Sequence, residues 1–388
     1  MKEYISLGVR IAGGCCGTTP EYIKEVVDKT AQIKPKKTEK KNYTFISSYT
    51  HAVFFGDKPL LIGERINPTG KKLFKEALKN NDIDYILNEG VNQQEKGVHI
   101  LDVNVGLPEI NEDEMLVSAV TRLQEVIDLP LQLDTVKISS MEKAMRIYNG
   151  KPLINSVNGK KESMDAVLPL VKKYGGAVIA LTIDEGGIPE TAEGRLKIAE
   201  KIIDECEKYG IDKKDIIVDP LAMAVSSDEK SGKVTLQSIR LIREKLAVKT
   251  SLGVSNISFG LPNRPSVNAI FLSMAFENGL SCAIMNPNSA EMMQSYHTFR
   301  ALKGYDNGCV DYINFASAVT VKSETAVPSL NEKSEGKEDL QYYIIKGLKE
   351  KAFECAKGLL EAQSPLSIID EQIIPALDTV GRCFQEKT

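Results

Sequence analysis

The chain has 388 residues, of which 42% are apolar and 26% charged, with a formal net charge of −4. This is ordinary globular composition, rich enough in apolar surface to build a core without staples, and its charge argues against nucleic acid as the main partner. Seven cysteines without regular spacing, no apolar leader after Met1-Lys-Glu-Tyr-Ile-Ser and no apolar run of membrane-span length speak against a disulfide framework, secretion and a membrane anchor, and indicate a cytoplasmic setting.

The first predicted piece spans 1–33. It has a strand-like run, Gly8 to Ala12, a Gly/Cys turn and a helix announced by Thr19 as cap, Pro20 at the first helical position and Glu21 at the positive end. One strand and one helix do not bury a core, so this reads as the tail of a larger domain. A lysine-rich stretch opens a linker expected over 34–58.

From 59 to 322 short apolar strands alternate with helical patterns. The strands read Leu60–Glu64, His99–Asn104, Pro130–Asp134, Pro152–Asn155, Ala177–Asp184, Ile216–Asp219, Thr250–Asn256 and Cys282–Asn286. Between them, Leu116, Ala119, Val120, Leu123 and Ile127 share one helical face, and Leu196, Ala199, Ile203 and Cys206 share another. Eight β-then-α units predict a (β/α)8 barrel; a doubly wound sheet is the alternative, because strand count alone does not prove closure. A polar linker is expected over 323–338. Over 339–388 two amphipathic helices follow, one striped by Leu340, Ile344, Leu348, Ala352, Cys355 and Leu359, the other starting at Ile368, Ile369, Ile373 and Leu377. Both ends read as cut from longer domains.

Each predicted strand ends in a polar residue: Glu64, Asp102 with Asn104, Asp134, Asn155, Asp184, Asp219, Asn256 and Asn286. In a barrel these ends converge on one mouth. Carboxylates and carboxamides suit the donor and acceptor edges of a flat heterocycle. A phosphate site would call for basic groups, and a metal site for a His or Cys cluster; His99 is the one histidine on these strands. For any single residue, capping a helix or holding a loop is an equally good explanation.

The segments Gly63-Glu-Arg-Ile-Asn-Pro-Thr-Gly70, Leu101-Asp-Val-Asn-Val-Gly106, Leu133-Asp-Thr135, Ile154-Asn-Ser156, Val218-Asp-Pro-Leu221 and Gly253-Val-Ser-Asn-Ile-Ser-Phe-Gly260 resemble the pterin-binding barrel of methyltetrahydrofolate methyltransferases. That group includes the folate domain of cobalamin-dependent methionine synthases and a stand-alone enzyme serving a corrinoid iron–sulfur protein. The flanks favour the first. Gly13-Gly-Cys-Cys-Gly-Thr-Thr-Pro20 resembles the end of the homocysteine-binding barrel, and Leu340 through Gly381 the start of the helical cap over cobalamin.

The resemblance implies methyl transfer from methyltetrahydrofolate to cob(I)alamin, with the corrinoid supplied in trans and with homocysteine-binding and cobalamin-binding modules as partners. It places Asn256 beside N5 of the pterin, and Asp134, Asn155 and Asp219 on the pterin edge. Glu64, Asp102 and Asn104 are further substrate-binding candidates. Arg264 reaches either the glutamate tail or its own loop. Cys15 and Cys16 correspond to two of three zinc ligands, leaving the zinc site incomplete. The competing readings are a corrinoid-protein methyltransferase, a dihydropteroate synthase, and a non-catalytic folate-binding fragment of a split system.

Overall fold

The structure is a computed structural model that describes residues 1–37, 39, 41–324 and 339–386. It divides into two units, Met1–Tyr43 and Thr44–Thr388. The expected linker 323–338 lies outside the described residues from 325 onward, as do 387 and 388 of the C-terminal piece.

In the first unit the helix Pro20–Thr30 begins as expected, with the Tyr22 N–H donating to Thr19 Oγ1 at 3.4 Å. The expected strand at Gly8 to Ala12 is not formed; this run follows a short helix, Lys2–Ser6, as irregular chain. A strand-like run without a neighbour to share its ladder has nothing to hold it extended.

In the second unit eight parallel strands close into a barrel in chain order: β3 (Leu60–Ile66), β4 (Ile100–Val103), β5 (Leu131–Asp134), β6 (Leu153–Asn158), β7 (Ala177–Leu181), β8 (Ile216–Asp219), β9 (Lys249–Gly253) and β10 (Cys282–Met285), with β10 pairing back onto β3. Closure settles the barrel against the open sheet. Helices follow each strand, among them Glu112–Val126 and Ala192–Lys208.

Strand alternation divides two cores. Leu60, Ile62, Ile100, Leu153, Ala177, Ile179, Ile217 and Cys282 cluster inside the barrel. Their neighbours Leu61, Leu101, Leu133, Ile154, Val178, Val218 and Ala283 pack outward under the helices.

The linker expected over 34–58 is corrected in its second half. Here β1 (Phe45–Ser47) and β2 (Ala52–Phe54) form an antiparallel hairpin. Its Ile46, and Phe55 just beyond, are buried against the inner barrel core. Ser47 exchanges backbone hydrogen bonds of 2.9 and 3.0 Å with Lys151, just before β6. The hairpin therefore closes the N-terminal end of the barrel. Strands of three residues carry too little alternation to be legible in sequence. We expect Ile46→Ala to lower stability by about 2–5 kcal/mol, read from denaturant unfolding.

The C-terminal helices belong to the same unit. The first expected helix is broken into Leu340–Ile345 and Lys349–Leu359 by Gly347 at φ 69°. Leu348 is fully buried with the outer core, and the Lys351 N–H donates to Asp84 Oδ2 at 3.0 Å. The second runs Pro365–Ile368, Ile369–Ile373 and Ile374–Glu386.

Candidate active site at the barrel mouth

The alternation that buries Ile62, Ile100, Leu153 and Ile217 also points the residues two steps further along each strand inward. Those residues are Glu64, Asp102, Asn155 and Asp219. Gln132 and Asp134 join them from β5, since Gln132 pairs in register with Leu153 and Asp134 with Asn155. Asn104 shares the parity of Asp102. The barrel interior is thus apolar below and polar above, at the ends where barrel enzymes carry their chemistry.

Several of these groups are bonded to each other. Asn104 Nδ2 donates to Asp134 Oδ2 at 2.9 Å, and Gln132 Nε2 to Asp102 Oδ1 at 2.6 Å. Ser255 Oγ reaches Glu64 Oε1 at 3.4 Å, and the Leu221 N–H donates to Asp219 Oδ1 at 2.8 Å. Asn155 is half-buried on β6 beside Asp134.

Asn256 sits just past β9 on a tight helical turn, Val254–Ser258. Its backbone carbonyl accepts from the Phe259 N–H at 3.2 Å, and the Ile257 carbonyl accepts from the Val225 N–H at 3.0 Å. The turn is anchored while the Asn256 side chain is exposed.

Burial is the leading influence on the acids. It raises Asp134 to about 6, partly countered by the Asn104 hydrogen bond. It raises Asp219 to about 7 against the N–H groups of Leu221 and Gly253 and the charge of Arg195. It lifts Asp102 well above the usual range, reinforced by the Asp134 charge, and raises Glu64 despite Lys71 and Ser255. A cluster of carboxyls pushed toward neutrality is what burial and mutual repulsion produce, and it occurs preferentially at functional sites.

Other expected members do not join. Asp184 lies beyond β7, which stops at Leu181, and its Oδ1 accepts from the Gly186 N–H at 2.8 Å in a local turn. Asn286 likewise holds its own loop, accepting from the Asn288 N–H at 3.0 Å. Arg264 is committed to the turn that carries Asn256: Nη2 donates to the Ser255 carbonyl at 2.8 Å, Nε to Ser258 Oγ at 3.0 Å, and the guanidinium lies over the Phe259 ring. Of its two readings the structure shows the loop contact. His99, half-buried and held neutral with its pKa lowered to about 4, accepts the Leu61 N–H at 3.0 Å.

Three residues at the mouth were missed. Gln132 reads as an ordinary polar strand residue until parity places it inside. Lys71 Nζ donates to the carbonyls of Glu64 and Asn67, both at 3.1 Å, which only the folded loop reveals. Arg195 carried a signal: it is a cation in the first turn of a helix, the end that disfavours positive charge.

In the first unit Cys15 and Cys16 are exposed with their sulfurs 3.7 Å apart, and hydrogen bonding to Cys16 lowers the Cys15 pKa. Among the described residues no group of three or more His, Cys, Asp or Glu is placed to hold a metal. Two thiols do not make a three-ligand zinc site, so the residues present do not fit zinc by themselves. No described helix is long and apolar enough to cross a membrane.

A closed barrel of eight parallel strands, with carboxylates and carboxamides gathered at one mouth, places the chain among the (β/α)8 barrels. The chain belongs to the pterin-binding enzyme family, whose model matches residues 63–286. Residues 1–30 match the homocysteine S-methyltransferase family. The chain is 30% identical to a methionine synthase of Mycobacterium leprae, over 97% of this chain and 34% of that protein. It therefore spans about a third of the length of that relative. It is 31% identical to a methylcorrinoid:tetrahydrofolate methyltransferase of Eubacterium limosum, over 65% of this chain and 94% of that protein. A dihydropteroate synthase of Xanthomonas albilineans has a similar fold, with TM-score 0.53 and 17% identity over 67% of this chain and 98% of that one.

Proposed function

We infer that the barrel mouth binds methyltetrahydrofolate and transfers its N5 methyl group to a corrinoid, as one half-reaction of methionine synthesis. The observation that carries this reading is the group of Asp134, Asn155 and Asp219 at the ends of β5, β6 and β8, with the Asn256 turn just past β9, in a chain similar along most of its barrel to a methylcorrinoid:tetrahydrofolate methyltransferase. The corrinoid is a second substrate, supplied in trans. Homocysteine-binding and cobalamin-binding modules complete the proposed system, and zinc belongs to it only with a third ligand from elsewhere.

A 2-amino-4-oxo pterin edge offers N–H donors that Asp134 and Asp219 accept when ionised, and charge strengthens those bonds. Asn155 adds a donor and an acceptor in one plane. When the methyl–N5 bond breaks, the acceptor supplies the new bond's electron pair and the old pair returns to N5, which must take up a proton. Asn256 can accept from a protonated N5 or donate to a neutral one, so its interaction grows as charge develops. It does not titrate near neutrality, so the proton arrives from solvent or from Glu64 and Asp102, which burial keeps inclined to hold protons.

The pH dependence has a definite sign. Pterin donors need carboxylates, and Asp134 and Asp219 titrate at about 6 and about 7. Affinity for the folate should rise from pH 5 and flatten above about pH 7.5, by up to about tenfold per pH unit for each proton released. Calorimetric titration from pH 5 to 8.5 checks this; affinity that falls over that range would contradict the assigned roles.

The decisive experiment mixes the protein, methyltetrahydrofolate and chemically reduced cobalamin and follows the methylcobalamin spectrum. Enzyme-dependent methylation is expected. Folate binding without methylation would leave a folate-binding module instead. Dihydropteroate synthase chemistry is disfavoured because a pyrophosphate needs free cations. Arg65 is paired with Glu89 at 3.0 Å, and Lys71 is held on two backbone carbonyls. Condensation of a pterin pyrophosphate with 4-aminobenzoate should be undetectable.

A further inference from the structure

Arg195 lies in the first turn of the helix Ala192–Lys208 and is 2% exposed, yet among the described residues no carboxylate forms an ion pair with it. Its guanidinium is satisfied almost wholly by backbone. Nη1 donates to the carbonyls of Pro220 at 3.0 Å and Leu221 at 2.8 Å and to Thr235 Oγ1 at 3.2 Å, and Nε donates to the Pro189 carbonyl at 3.0 Å. Thr235 Oγ1 in turn donates to the Leu221 carbonyl at 3.1 Å. The clamped residue is unusual: Leu221 has φ 66°, a left-handed conformation that a leucine adopts only when its surroundings impose it. In that conformation its N–H reaches Asp219 Oδ1 at 2.8 Å.

A buried, permanently charged fork at the unfavourable end of a helix is costly unless its place is needed. We propose that Arg195 is a positioning residue for the pterin site, its guanidinium fixing the Pro220–Leu221 turn so that the Asp219 carboxylate is held aimed into the mouth. The inference rests on the reading of that mouth as a reduced-folate site.

The charge of Arg195 acts on Asp219 as well as its geometry. The groups facing Asp219 are Arg195 from the helix Ala192–Lys208, the backbone N–H groups of Leu221 and Gly253, and the Cys282 thiol of β10, itself pushed up to about 12. Of these, only Arg195 brings a positive charge, and it favours the ionised carboxylate.

Two variants separate geometry from charge. Arg195→Lys keeps the charge and loses the fork; Arg195→Met loses both. The Asp219 midpoint is followed by carbon-13 NMR of carboxyl-labelled aspartate in the ligand-free protein, assigned with Asp219→Asn, beside calorimetric affinity for methyltetrahydrofolate. In Arg195→Met the midpoint should rise by about one unit. In Arg195→Lys it should stay near wild type while affinity falls about tenfold, the scale of a misplaced binding group. Unchanged midpoint and affinity in both variants, with only a lower melting temperature, would overturn the proposal. If Arg195→Met does not fold, wild-type affinity in Arg195→Lys overturns it alone. A wild-type protein that binds no folate while its Asp219 midpoint still moves in Arg195→Met would fault the functional reading, not the Arg195–Asp219 coupling.

Discussion

Asn256→Ala should slow methyl transfer by about 10²-fold or more, the effect of removing one hydrogen bond that strengthens in the transition state. The structure makes the test clean. The Asn256 carboxamide has no hydrogen-bond partner among the described residues, and its side chain is exposed. The turn is held instead by backbone bonds and by Arg264 on Ser255 and Ser258. Truncation should therefore leave stability within about 0.5 kcal/mol of wild type, as for exposed positions outside a network. Folate affinity should change little, because the pterin edge is held by other strands. A stopped-flow assay of methyl transfer at saturating folate reads the rate. A wild-type rate in this variant would remove Asn256 from the mechanism.

Asp134→Ala should act on the other parameter. Its carboxylate is a charged acceptor at the inner wall, bonded to Asn104 and beside Asn155. Removing one partner of a desolvated, charged hydrogen-bonded pair costs about 2–5 kcal/mol, so the folate dissociation constant should rise about 10²-fold. Part of that loss reflects the Asn104 amide left without its acceptor, so Asn104→Ala should weaken binding by a smaller factor. The two variants together separate direct contact from support. Fluorescence titration of the folate measures both, and unchanged affinity in Asp134→Ala would show that the pterin lies elsewhere.

Much of the architecture was legible because barrel strands and helices announce themselves locally. The run Leu60–Glu64 and the stripe Leu116, Ala119, Val120, Leu123 recur with the right periods, and both became the expected elements. The hairpin at 45–54 was invisible because three-residue strands have almost no period to detect. The helix break at Gly347 had a signal in the sequence, the glycine itself, but the apolar stripe ran across it and masked it; the structure shows that glycine at positive φ.

The candidate site divides in the same manner. Eight polar strand ends could be named from residue type and spacing, and six segments were specific enough to indicate a pterin barrel. Residue type did not distinguish Asp219, which is buried and turned inward, from Asp184, which closes its own turn. It did not reveal that Arg264 grips the Asn256 turn, or that Gln132 sits within the acid cluster beside Asp102.

Those distinctions depend on strand register and on where each strand stops, because a shift of one residue exchanges the inner and outer faces of a β-strand. Register in a closed barrel is decided by all eight strands at once. Burial then sets the protonation of Asp102, Asp134 and Asp219, and burial belongs to the assembled barrel. Periodicity and residue chemistry are properties of short segments and survive in the bare chain; facing, enclosure and charge state arise only when distant segments meet.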